Sequence, residues 1–444
     1  MELAHVTTAR HNAAVRTLLV RFFRAVVQIF YRRVEVAGLE NVPPAAPVIF
    51  AVNHPNGLID PLFILGFAAR PVSFLAKAPL FRYPFIGWIV RALDCIPVYR
   101  RQDDVAGSNE QTFARARAIL ASGGGIAIFP EGTSHSDAQL RELKTGAARI
   151  ALGSAAGSVN VVPTGIYYSA KGAFRSDALV VFGSPILTGT MTVGDDGEPP
   201  AAEVERLTDA IDEALDSVTL QADSRAALAL IEQAEEIFRG RTDVAGEFET
   251  RRRFVDGYHY LMAHDPERLA RLASAVTRLS EELGRARLAP NELVPRFRVW
   301  TIVRIVVQLP LAAAGAVLHY PAYWLVGVLA RRFAHGEDEL IATIKFIAAL
   351  LFFPLTWILC AGVAWHFLGG LAALAILIAA PLLGYAAMRV FETADVLIGR
   401  LRAVTIRRRS GPLGAAREDI RREVMAVAAE MDDAATAPLL HSRE

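Results

Sequence analysis

Cysteine is nearly absent. Cys95 and Cys360 are the only two in 444 residues, and a pair so far apart suggests neither a disulfide framework nor a zinc site, which fits a reducing compartment. Net charge is missing as well: 47 Lys and Arg against 46 Asp and Glu leave +1. The charge balance therefore names no nucleic-acid or acidic partner. No secretory signal is evident, because Arg16, Arg21 and Arg24 interrupt the apolar segment 15–33 and no small-residue cleavage site follows. Further on, charge of either sign is missing from 305–330, 346–365 and 367–388. What the chain has in excess is hydrophobic residues, 53% of the total, above the usual share for a soluble protein. Its length is enough for two or three units.

The first two hundred residues alternate short apolar runs with helical patterns. Strands are expected at 34–36, 47–53, 72–77, 95–100, 126–129, 159–166 and 178–182, and helices at 60–69, 85–93, 109–121 and 145–156. Such alternation predicts an α/β fold around a mainly parallel sheet. Ahead of it, Arg21, Arg24, Gln28 and Arg32 recur at helical spacing, and Leu18, Leu19, Phe22, Val26, Ile29 and Phe30 cover the other side. Residues 1–33 are therefore expected to form a basic amphipathic helix lying in an anionic membrane surface. An ordinary domain helix with a solvated basic face carries the same pattern.

From about Ala201 the composition shifts to charged, Ala- and Leu-rich helices, so 201–296 is expected to connect or cover the first domain. Residues 297–400 are expected to meet the membrane. The uncharged runs 346–365 and 367–388 are each long enough to span, and Gly369-Gly370 joins them. Lys345 and Arg389 flank the pair, which predicts a hairpin with both ends cytoplasmic. The run 305–330 is interrupted by Pro310 and Pro321 and has basic residues at both ends. It is expected to be re-entrant or interfacial. The tail, 401–444, with Arg407-Arg408-Arg409, is expected to be basic and partly disordered, near lipid headgroups.

Chemistry concentrates between strands and helices. Asn53-His54-Pro55-Asn56-Gly57-Leu58-Ile59-Asp60 follows a buried-strand pattern and precedes a helix start. A histidine held by a carboxylate is a general base able to deprotonate an alcohol. No Ser or Cys nucleophile stands beside it, so the nucleophile is expected to be the substrate's own hydroxyl. Asp60 as a helix cap and His54 as a plain loop histidine is the other reading. Phe129-Pro130-Glu131-Gly132-Thr133-Ser134 ends another strand; glycine permits close backbone approach, and hydroxyl and N–H groups there can hold phosphate oxygens. Lys144 and Arg100 can add cationic donors. A turn, a solvated lysine and a surface ion pair account for each of these separately.

Together these segments resemble the ordered motifs of the glycerolipid acyltransferases, the family of the lysophosphatidate and glycerol-3-phosphate acyltransferases. Asn53 to Asp60 resembles the first motif, Cys95 to Arg100 the second, Phe129 to Ser134 the third, and Val162-Pro163-Thr164-Gly165 the proline-centred fourth. Lys144-Thr145-Gly146 matches a Lys-x-Gly pattern that follows the third. One departure stands out: five residues, not four, separate His54 from Asp60, the extra one read as absorbed at the Asn56-Gly57 turn. The resemblance covers about 34–190 and implies an α/β acyltransferase domain, placed at 34–200, with a mixed, mainly parallel sheet flanked by helices. After it come the helical linker and the C-terminal transmembrane region. It implies His54 and Asp60 as catalytic residues, and Arg100, Gly132, Thr133 and Lys144 at the acceptor phosphate. Asn53, Glu131 and Pro163 have supporting places. No metal or resident cofactor is implied. The expected co-substrate is acyl-CoA or acyl-carrier protein, and the expected acceptor a membrane lipid, 1-acyl-glycerol 3-phosphate, or else glycerol 3-phosphate or dihydroxyacetone phosphate. A non-catalytic lipid-binding protein on the same fold is the alternative. The active domain is expected on the cytoplasmic face.

Overall fold

The computed structural model describes residues 2–99, 108–189, 198–220, 224–238, 244–286, 299–334, 337–405 and 407–441. The chain divides into two units, one of residues 1–221 with 338–343, the other of 222–337 with 344–444.

The first unit is built on an eight-stranded sheet. In chain order its strands are β1 (Arg33–Ala37), β2 (Val48–Val52), β3 (Val72–Lys77), β4 (Ile96–Val98), β5 (Gly125–Ile128), β6 (Asn160–Tyr168), β7 (Asp177–Phe182) and β8 (Ile186–Leu187). They are ordered β1-β7-β6-β2-β5-β3-β4, with β8 beside β6. The run β6-β2-β5-β3-β4 is parallel; β7 is antiparallel to β6 and carries β1 parallel to itself. The sheet is mixed and mainly parallel, as its alternating elements predict. β2 sits in its middle, and Val48, Ile49, Phe50, Ala51 and Val52 are all fully buried. A strand covered on both faces needs an unbroken apolar run rather than an alternation.

Helices α1 (Glu2–Phe30), α2 (Ile59–Phe67), α3 (Pro84–Ala92), α4 (Ser108–Ala121), α5 (Gly146–Leu152) and α6 (Ala201–Val218) belong to this unit. Two expectations meet the structure here. The inward stripe of α1 is Phe23, Val27 and Phe30. Two residues of the expected basic face serve the protein itself: Arg24 lies over the Phe67 ring at 4.9 Å, and Arg32 grips the buried Asp177 through Nε and Nη2 at 3.0 and 2.6 Å. Leu18, Phe22 and Ile29 are left outside. Second, α6 is no linker: Val204, Leu207, Ile211, Leu215 and Val218 complete the sheet's core.

The second unit is helical: α7 (Arg225–Phe238), α8 (Val244–His264), α9 (Pro266–Ala286), α10 (Val299–Phe333), most of α11 (Asp338–Leu368), α12 (Gly370–Thr405) and α13 (Arg407–His441). The expected tail is α13, whose Leu413 and Ile420 share a core with Ala234 and Ile237 of α7 and Val276, Leu279 and Leu283 of α9. Apolar residues seven apart on a helix return to one face, which is why a basic segment still finds a core. The expected break in 305–330 is also absent. α10 is one helix through Pro310 and Pro321; a proline removes a single intrahelical bond, and a long apolar helix tolerates that. α10, α11 and α12 are each long and apolar enough to cross a membrane, and Gly369, at φ 87°, makes the joint between the last two.

Small residues let α10 meet α12 closely: a Cβ on Gly315 would fall 2.1 Å from the Leu383 carbonyl oxygen, and one on Gly384 2.9 Å from the His319 ring. His319 Nδ1 donates to the Gly315 carbonyl at 2.7 Å, and its Nε2 accepts the Trp357 indole N–H at 2.8 Å, so one neutral tautomer ties α10 to α11. α7 and α9 precede the apolar helices, and α13, in the same core, follows them.

Candidate active site

The parallel strands β2 and β5 end on one edge of the sheet, and each hands its next residues to the site. Asn53 prolongs β2 beyond its last paired residue. Its side chain donates to the Ile166 carbonyl at 3.2 Å and accepts the Ile166 N–H at 2.7 Å, imitating another step of the ladder to β6. His54 follows. Its Nδ1 lies 2.8 Å from Asp60 Oδ2, and its ring stacks on Phe129, centroids 4.1 Å apart. The pair meets across a turn whose Gly57 has φ 41°. The extra residue is thus accommodated where glycine tolerates a left-handed backbone.

Asp60 is not a helix cap. It lies in the first turn of α2, whose N-cap is Leu58, and its carboxylate points back to the loop. Oδ2 accepts the Asn56 N–H at 2.7 Å as well as His54, and Oδ1 accepts the Tyr168 hydroxyl at 2.6 Å. Asp60 is fully buried, and a buried carboxylate persists only when donors replace its water. Burial, together with the Asp60 charge, pushes the Tyr168 phenol well above its ordinary value. It therefore stays a donor. Tyr31, raised by the same two causes, accepts from Asn56 Nδ2 at 3.2 Å. With Nδ1 facing the carboxylate, Nε2 is the imidazole nitrogen left to take a proton.

Glu131 plays the second carboxylate. It too is buried, and it binds protein rather than opening onto the phosphate rim: Oε1 accepts the His54 backbone N–H at 2.8 Å, and Oε2 accepts the Arg141 N–H at 3.2 Å. His135 contacts Oε2 through Nε2. The Asp137 N–H reaches His135 Nδ1 at 3.2 Å, which makes Nε2 the protonated nitrogen. The His135 N–H in turn donates to the His54 carbonyl at 3.1 Å. The two loops are therefore sewn together at His54 through both its backbone N–H and its carbonyl.

The expected phosphate residues are arranged differently. Gly132 has φ 75°, and a Cβ there would stand 2.2 Å from Lys144 Nζ. Only glycine lets that ammonium lie against the loop. The Lys144 backbone is fixed by its N–H to the Pro130 carbonyl at 2.8 Å. Gly132's own N–H is committed to the Phe129 carbonyl at 3.0 Å, and Thr133 and Lys144 beside it are exposed. Arg100 lies outside the described residues. Pro163 is a packing residue inside β6, opposite Ala51, and Gly183 leaves room for its ring.

Four residues of the site escape sequence reading: Asn56 as a backbone donor, Phe129 as the stacking partner, Tyr168, and Lys171. Lys171 Nζ contacts Ser136 Oγ and reaches the Pro55 carbonyl at 3.4 Å, adding a cation beside both loops. Tyr168 is 108 residues from Asp60. Its only trace is its place at the end of the strand that pairs with β2.

The first unit thus holds an imidazole–carboxylate pair at the strand ends of a mixed, mainly parallel sheet, with a lysine on the neighbouring loop. Residues 33–167 match the family model Acyltransferase. It is similar to the Saccharomyces cerevisiae proteins glycerol-3-phosphate O-acyltransferase 2 (28% identical, covering 56% of this chain and 37% of that one) and glycerol-3-phosphate O-acyltransferase 1 (24% identical, 74% and 58%). It is also similar to the 1-acyl-sn-glycerol-3-phosphate acyltransferase of Borreliella burgdorferi (32% identical, 30% and 51%). The chain thus spans between about a third and three-fifths of the length of these relatives.

Proposed function

We propose that this protein is a membrane-bound O-acyltransferase that moves a fatty acyl group from a thioester to a hydroxyl of a glycerol phosphate. The observation that carries the reading is the 2.8 Å contact between His54 Nδ1 and the fully buried Asp60. It presents Nε2 as a base and stabilises the imidazolium once formed, as a carboxylate does in serine-hydrolase triads. His54 takes the hydroxyl proton as the acceptor oxygen attacks the thioester carbonyl. The tetrahedral intermediate collapses, the C–S bond breaks, and the imidazolium returns the proton to the leaving thiolate. The oxygen goes directly to the acyl carbon, so no acyl-enzyme forms. Thr133, Lys144 and Arg100 hold the acceptor phosphate, and that positioning supplies much of the rate.

The preferred acceptor is 1-acyl-glycerol 3-phosphate. Glycerol 3-phosphate is the second reading, favoured by the reach of the similarity: the yeast relative covers 74% of this chain, whereas the bacterial one covers 30%. The purified protein in lipid nanodiscs, given a labelled acyl-CoA or acyl-carrier protein and a panel of acceptors, separates them. Labelled phosphatidate from the first or lysophosphatidate from the second is the expected product, and release of free fatty acid alone would overturn both. The domain is placed on the cytoplasmic face, where a water-soluble donor meets a lipid. The expected return of the chain to the cytoplasmic side is tested by reporters inserted between α7 and α8 and after α13: both accessible from one side is the expected result, and access from opposite sides would contradict it.

A further inference from the structure

The segment between β3 and β4 turns its apolar side outward. Tyr83, Phe85, Ile86 and Trp88 are 57, 72, 42 and 49% exposed, and the Phe85 and Trp88 rings stack at 6.4 Å. Gly87 faces the other way: a Cβ there would lie 2.5 Å from the Phe81 carbonyl oxygen, so α3 is pressed onto the turn before it and shows its aromatics. A contiguous patch of this kind marks an interaction surface.

Three observations identify its partner. From Lys77 to Leu93 the sequence has Lys77, Arg82 and Arg91 but no acidic residue, which suits an anionic surface. β3 is parallel to β5 and β5 to β2, so the chain leaves β3 toward α3 on the edge where His54 and Glu131 stand. At the far end of α3, Asp94 pairs with Arg16 of α1 at 2.6 Å, and α1 itself exposes Leu18 and Phe22. Amphipathic rings flanked by basic side chains are the chemistry of the headgroup boundary.

We infer that residues 81–91 are an interfacial docking element, with Phe85 and Trp88 seated at the headgroup level of an anionic bilayer. The element brings the strand-end edge of the first unit to the lipid surface. A lipid hydroxyl then reaches His54 from the membrane rather than from solution.

Spin labels at Phe85→Cys, Trp88→Cys and Leu39→Cys test this in the full chain, in nanodiscs of phosphatidylcholine and phosphatidylglycerol. Cys360→Ser removes the other accessible thiol. Cys95 is buried with its thiol pushed up to about 11, so it does not label. Leu39 is the control. It is exposed and follows β1, whose direction opposes that of β2 through β7 and β6. The expected result is oxygen access with nickel-chelate access lowered about fivefold at 85 and 88 relative to 39. Nickel access at 85 and 88 equal to that at 39 overturns the inference. Shielding from both reagents also overturns it, because it reports a protein partner. Label depth is expected to be the same in a His54→Ala background, so this result and the acyl-transfer reading fail separately.

Discussion

The two halves of the site are built on opposite terms. Around His54 everything is fixed. Asp60 and Glu131 are both buried, and each carboxylate is met by three hydrogen-bonding partners from separate positions in the chain. At the rim, Thr133 and Lys144 are exposed, and the lysine is held mainly by its backbone. The proton-transfer half must be preorganised, because a misplaced base loses rate directly. In the proposed mechanism the phosphate half gains its order when an anion arrives. Substitutions in the first half should therefore lower kcat and stability, while those in the second should raise KM alone.

The sharpest way to break this contrast is Asp60→Asn. The amide leaves the imidazole in the wrong tautomer, and kcat should fall about 10³-fold, measured by single-turnover acyl transfer. Glu131→Gln comes next. Loss of charge-assisted bonds to two backbone N–H groups and to His135 should cost about 1.5–3 kcal/mol, visible as a lower Tm and a reduced kcat with KM for the acceptor nearly unchanged. Lys144→Ala belongs to the other half. It should raise KM for a phosphate-bearing acceptor roughly tenfold and leave Tm within experimental error; a matching fall in Tm would mean the rim is structural after all.

Tyr168→Phe is the finest probe. Removing the hydroxyl takes one donor from Asp60, which leaves the carboxylate more basic and holds the imidazolium more tightly. His54 then stays protonated to higher pH, so the acid limb of the pH–kcat profile should move upward, with a rate loss of only a few-fold at neutral pH. An unmoved limb would show that the hydroxyl only fills space. Because the phenol is pushed well above its ordinary value, the wild type should show no alkaline limb from Tyr168 at pH values where other tyrosines begin to ionise.

The same contrast explains what could be read in advance. The strand series, the turn at Gly57 and the His54–Asp60 pair are written locally, in apolar runs and in residues six positions apart. The bonds that lock the pair are not: Tyr168 and Glu131 reach it through strand order, which a single sequence does not state. α13 is a different case. Leu413, Ile420 and Val427, all buried, stand seven apart in a segment whose run of arginines masked the stripe. At the N-terminus the spacing of the arginines reads as one solvated basic face, yet Arg24 of α1 and Arg32 just beyond it turn to Phe67 and Asp177, because a cation finds an aromatic face or a buried carboxylate as readily as it finds water.

The central claim is that the imidazole of His54, seated on Asp60, removes the acceptor's proton. Single-turnover transfer from a labelled thioester by His54→Ala in nanodiscs measures it most directly. The account predicts a fall of about 10²–10⁴-fold with acceptor binding preserved. A variant that transfers at a rate within a few-fold of wild type would contradict it.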